Sequence, residues 1–234
     1  MISPYSQGDE NFKTSSKIRA DRIFSQYKFY KDLENTNEII FSNCFKMRQK
    51  YQNKKILILG GGPSTNHFIS NPERLQFYDF VWSVNHFYMN PVLKNVKVDL
   101  AMMMLEPDIF SDEFVEYYNR FLPTLGFELH DKWINTKIPY KNCFVMQTRF
   151  YGILGACQRM IIFASCLKAS EVHFTGLDGL SAIRKGMHSF QQGKNKLPSI
   201  SDDNVYSYQY KEFWKYLYRF KDEVKYKNFS KRLI

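Results

Sequence analysis

The residues able to do chemistry sit in short clusters, each at the end of an apolar run. Gly60-Gly61-Gly62-Pro63-Ser64 follows Lys55-Ile56-Leu57-Ile58-Leu59. Glycines allow a tight turn and let backbone amides approach a ligand closely. A helix opening at Ser64 would aim its free N–H groups and positive dipole end at the same place. The natural guest is a phosphate or carboxylate, most often on a nucleotide. Asn85-His86 closes a second run, 78–84, and Leu177-Asp178 follows a third, 171–176, which ends at Gly176. Asp178 suits either a hydrogen bond to ligand, a nucleophile or base, or an ordinary turn and helix cap. Glu106 and Asp108 lie after a further run, where they would bind ligand hydroxyls or cap a helix at Pro107.

Other chemistries are disfavoured by spacing. The glycine turn lacks G-x-G-x-x-G with an acidic residue about twenty positions on, and lacks the Gly-Lys-Ser/Thr of a P-loop. No Asp-x-Asp stands near a strand end, which argues against a metal-anchored UDP-sugar site, so no metal is expected. Cys44, Cys143, Cys157 and Cys166 lack metal-type spacing. Cys157 and Cys166 fall in an apolar stretch and read as core thiols, and a reducing compartment is the simpler inference.

The elements that must position these clusters alternate. The unbroken apolar run at 55–60 reads as a strand buried on both faces, as in a parallel sheet. Further strands are expected at 78–84, 96–104, 141–146 and 171–176, with 124–129 ambiguous. Helices are expected at 113–121, 152–167 and 206–220, and a helix or loop over 64–76 with a turn at Asn71-Pro72-Glu73. Residues 15–50 carry a helical pattern that includes Ile39, Ile40, Phe41, Phe45 and Met47. Residues 181–204 read as a basic loop, and the tail is basic. Such alternation predicts an α/β fold: a Rossmann-like, mostly parallel sheet with flanking helices, plus an N-terminal helical arm. The arm takes residues 1–50 and a single Rossmann-like domain takes 51–234. Ligands of such sheets bind beyond the carboxyl ends of the strands, so the three clusters would share one rim.

Composition is that of a folded chain. Its 234 residues are 44% hydrophobic and 17% aromatic, with 21 Phe and 16 Tyr. The formal charge of +10 suits anionic partners: sugar nucleotides, anionic glycans, acidic headgroups or nucleic acid. The first residues lack an apolar secretory core, and no run approaches the roughly 18 apolar residues of a membrane helix. A cytoplasmic protein is expected, with peripheral contact at an anionic membrane surface.

In this order the clusters carry a resemblance. Strand–GGGPS, strand–NHFY and small-residue helix–strand–TGLD resemble bacterial sialyltransferases acting on lipooligosaccharide. They are also similar to nonulosonate and Kdo transferases, motility-associated flagellin glycosyltransferases and archaeal pterin pyrophosphokinase-like proteins. The resemblance spans about residues 54–190. It implies that Gly60, Gly61, Gly62, Pro63 and Ser64 hold the nucleotide phosphate region, with Thr65 standing where that group has leucine. It implies that Asn85 contacts the donor and that Thr175, Gly176, Leu177 and Asp178 form the later donor turn. Arg149 with Gly152 or Gly155 is the nearest equivalent of a further donor-binding segment. His188 matches a general base by position, and an imidazole is suited to that role near neutral pH. Gly179, Leu180 and Ser181 stand where the sialyltransferases carry leaving-group tyrosines, and Arg184 and Lys185 are the cationic alternatives.

The expected activity is transfer of sialic acid, Kdo or a related nonulosonate from a CMP-sugar to a glycan or lipid-linked glycan. The CMP-sugar is a co-substrate, and no separate cofactor is expected. One rival is a Mg²⁺-dependent pyrophosphokinase-like phosphotransferase using Asp178 with Glu106 or Asp108. The other is a non-enzymatic binder of anionic polymers; nucleic acid is the weaker partner, since no RRM, KH or helix-turn-helix signature appears.

Overall fold

A computed structural model describes residues 40–41, 44–103, 109–128, 138–146, 154–178 and 203–230. Eight strands form one sheet: β1 (Ile40–Phe41), β2 (Lys55–Leu59), β3 (Phe80–Val84), β4 (Leu100–Met103), β5 (Thr124–Glu128), β6 (Cys143–Met146), β7 (Glu171–Thr175) and β8 (Lys225–Asn228). Their order is β1-β6-β5-β4-β3-β2-β7-β8, and every ladder is parallel. The helices are α1 (Cys44–Tyr51), α2 (Ser64–Ile69), α3 (Asp112–Phe121), α4 (Ala156–Cys166) and α5 (Asp203–Arg219). The described residues also hold short 3₁₀ turns at Pro72–Phe77 and Asn85–Met89.

Period-two alternation in β2 supplies both cores. Leu57 and Leu59 join Phe68 of α2 and Phe114, Tyr117 and Tyr118 of α3 on one face. Ile56 and Ile58 join Tyr51 of α1, Trp82 of β3, Ile161 of α4 and Phe213 of α5 on the other. A parallel strand covered on both faces must be apolar throughout, which is why the Ile-Leu-Ile-Leu run is unbroken. Trp82 is fully buried, with Tyr51 edge-on at 4.9 Å. α3 starts where the Ser111 hydroxyl accepts from the Phe114 amide at 3.2 Å, behind Asp112 and Glu113 in its first turn.

Several expectations change. Ile40 and Phe41, placed by pattern on a helical arm, form a strand paired with β6, and α1 packs its Met47 and Tyr51 into the core of the second face. The expected strand at 96–104 shortens to β4, the ambiguous 124–129 segment becomes β5, and the basic tail contributes β8. Cys157 is buried as expected, but Cys166 is exposed. Residues 1–39 and positions 181–202 of the expected basic loop lie outside the described residues, while Asp203 and Asn204, also expected in that loop, open α5. Among the described residues, no helix is long and apolar enough to cross a membrane.

On β7, buried His173 lies 2.9 Å from the Tyr78 hydroxyl through Nδ1 and 3.2 Å from Glu171 Oε2 through Nε2. Burial, then the nearby Lys55 charge, hold its pKa below the ordinary histidine value, with Glu171 opposing. The unfolded chain therefore takes up this proton first on acidification. The stabilisation is complete above about pH 6.5 and is lost as pH falls toward the folded-state value. The urea midpoint should drop between about pH 7.5 and 5.5 more steeply for the native chain than for His173→Gln. Equal slopes would show that His173 does not titrate with folding.

Candidate functional site

Strand order brings the clusters together. β2 lies between β3 and β7. Its last residue, Leu59, pairs with Ser83 on one side and Thr175 on the other, so all three strands stop at one level. The segments 60–64, 85–86 and 176–178 therefore occupy one rim at the carboxyl edge. The rim also contains the reversal in winding. After β2 the chain enters α2 on the first face; after β7 it leads to α5 on the second. The gap between β2 and β7 is thus a topological switch point, the usual ligand crevice of doubly wound sheets.

At that switch point the two turns are bonded to each other. The Gly60 amide donates to the Thr175 carbonyl at 2.9 Å, and the Gly62 amide donates to the Gly176 carbonyl at 3.0 Å. The Gly176 amide donates to Ser64 Oγ at 2.8 Å, which also lies 2.9 Å from Thr175 Oγ1. Thr65 Oγ1 donates to the Gly60 carbonyl at 2.7 Å. Asp178 is buried, and its Oδ2 accepts from the Ser64 amide at 3.0 Å. A carboxylate delivered from β7 thereby caps the first turn of α2. This is the capping role among those open to Asp178, and it commits one of its oxygens; Oδ1 is buried without a partner among the described residues.

These contacts require glycine. Gly176 has φ +81°, and a Cβ there would lie 2.5 Å from the Gly60 carbonyl carbon. A Cβ on Gly62 would lie 2.0 Å from Asp178 Oδ2. A Cβ on Gly60 would lie 3.0 Å from Cys157 Sγ, which places the start of α4, and its N-cap Gly155, beside the same rim. Burial, helped by the Asp178 charge, pushes the Cys157 thiol up to about 12, so it is a neutral packing group rather than a nucleophile.

The amides expected to face a phosphate are thus partly spent within the protein. Those of Gly62 and Ser64 bond to the β7 turn, Pro63 has none, and Thr65 and Asn66 donate within the bend. Gly61 is the amide of the bend with no acceptor among the described residues. Next door, Asn85 is half-buried with φ +50°, a left-handed conformation that asparagine tolerates better than most residues. His86 is buried, and His67 lies exposed on α2. Arg149, Arg184, Lys185 and His188, and also Glu106 and Asp108, lie outside the described residues.

Fold and rim define the chain as a doubly wound α/β protein of the Rossmann-like class. No family model matches it, and no curated protein does. Among solved structures it is similar to the MAf glycosyltransferase from Magnetospirillum magneticum AMB-1, with TM-score 0.48 and 11% identity. That match covers 79% of this chain and 33% of the other, so the chain spans about a third of that protein's length. It is also similar to a mammalian sialyltransferase in complex with Gal-beta-1-3GalNAc-ortho-nitrophenol, with TM-score 0.44 and 10% identity over 86% of this chain and 84% of the other.

Proposed function

We propose that the protein is a glycosyltransferase that moves a sialic acid, Kdo or related nonulosonate from its CMP-activated form to a glycan or lipid-linked glycan. The observation that carries this reading is the single rim made by the ends of β3, β2 and β7 at a switch point. It supports a nucleotide over the β2–β7 knot, with the Gly61 amide toward the phosphate and Asn85 toward the nucleoside. In the proposed reaction the acceptor oxygen attacks the anomeric carbon as its proton passes to His188. The bond from that carbon to the phosphate oxygen breaks, and CMP leaves. Arg184 and Lys185 are assigned to the charge on the departing phosphate, and Arg149 with Gly155 to the donor. No metal is assigned. The reading fits a cytoplasmic enzyme working at the inner face of a membrane.

Calorimetric titration with CMP tests the site apart from the chemistry. Saturable binding with Kd below about 1 mM is expected. Asn85→Gly, which keeps the left-handed backbone and removes the side chain, should weaken it about tenfold. His188→Ala should leave it intact while abolishing sugar transfer. Absence of heat at millimolar CMP would overturn the proposal, and ATP binding that rises with Mg²⁺ would replace it with the phosphotransferase.

A further inference from the structure

We infer that the outward face of α5 is a docking surface for an anionic lipid layer. The helix buries Phe213 and Leu217 in the second core, with Phe213 edge-on to Phe174 of β7. On its other side Lys211, Trp214, Lys215 and Tyr218 recur at the spacing of a single helical stripe, and all four are exposed. Trp214 keeps 38% of its surface and Tyr218 67%, high values for side chains of this size. Neither ring is adrift. Trp214 packs on Tyr210 at 5.9 Å and Phe213 at 5.6 Å. Lys221 Nζ sits 4.2 Å from the centre of the Tyr218 ring and donates to its hydroxyl at 2.9 Å.

Charge selects the partner. Acids near the stripe are largely engaged: Glu212 pairs with Lys215 at 2.6 Å and Glu223 with Lys168 at 3.2 Å. Along the helix and the turn that follows it, Lys211, Arg219 and Lys221 then stand against exposed Asp222, so this stretch is positive. Aromatic rings with polar tips belong at headgroup level, and lysines beside them are drawn to anionic lipid. A single convex helix face suits a plane, whereas the bases of a single strand need a groove with stacking platforms. Because α5 links the parallel neighbours β7 and β8, it runs antiparallel to the strands. Lying on a surface, it would leave the carboxyl rim open to one side, within reach of acceptors held in the same layer.

The test is co-sedimentation of the full chain with vesicles of phosphatidylcholine alone or with about one quarter phosphatidylglycerol. Binding is expected only to the anionic vesicles and should fall as salt rises. Trp214→Ser with Tyr218→Ser, and separately Lys211→Glu with Lys221→Glu, should each lower the partition coefficient about tenfold. Circular dichroism checks that each variant folds; should the aromatic pair fail, the charge pair decides. Failure to pellet with anionic vesicles, or unchanged pelleting of folded variants, overturns the inference. So does tighter binding of single-stranded oligothymidine that the same substitutions abolish.

Discussion

Gly176→Ala should destabilise the protein by about 2–4 kcal/mol and remove nucleotide binding with it. Two costs combine. The residue sits at φ +81°, where an L side chain is strained by about 1–2 kcal/mol. Its new methyl would also meet the Gly60 carbonyl carbon and oxygen at 2.5 Å and Thr65 Oγ1 at 2.6 Å. Two of those atoms are backbone, so relief requires the ends of β2 and β7 to part. Parting breaks the bond from the Gly62 amide to the Gly176 carbonyl, and that from the Gly176 amide to Ser64 Oγ. Urea unfolding measures the loss, and CMP calorimetry reads the site. A variant within about 0.5 kcal/mol of the native chain would show that the turns do not touch as described.

The second large effect is a coupling. Gly62→Ala puts a methyl 2.0 Å from Asp178 Oδ2 and 2.7 Å from the Gly176 carbonyl oxygen. The carboxylate must withdraw, leaving the Ser64 amide without its acceptor. An unmet buried donor costs about 1–3 kcal/mol, so either Gly62→Ala or Asp178→Ala should cost at least that much. Together they should cost less than their sum by about 1 kcal/mol or more, because the second change removes the atoms that the first one strikes. Strict additivity in denaturant titrations would show that residue 62 and Asp178 are independent. Full recovery is not expected, since the contact with the Gly176 carbonyl remains.

These effects meet at residues far apart in the chain, and they explain what could be read early. β2 was legible because a parallel central strand leaves no face for polar residues, so its burial is written as a continuous apolar run. α4 was legible from its run of small and apolar residues, and β7, Glu-Val-His-Phe-Thr, from β-branched and aromatic residues closed by a glycine turn. β8, with Lys-Tyr-Lys-Asn, pairs with β7 alone among the described residues, and its exposed lysines hide the strand in a basic tail. β1 is two residues long, too short for any period to show, and Ile40 and Phe41 fit a helical stripe equally well. Cys166 shares the apolar stretch of Cys157, but the helix turns it outward.

The rim divides similarly. That glycines at 60–62 and 176 mark close backbone approach was visible in their type and position. What they approach was not. The composition of the 60–64 bend is equally suited to an anion and to a neighbouring turn, since both are met by N–H groups at short range. From the residues alone the chain's α/β character, its glycine bends and its cationic surface follow, because strand burial, backbone freedom and charge are local properties. Only the tertiary structure decided that β7 lies beside β2 and that Asp178 caps α2. Strand order and the partners of buried amides are set by packing between segments more than a hundred positions apart.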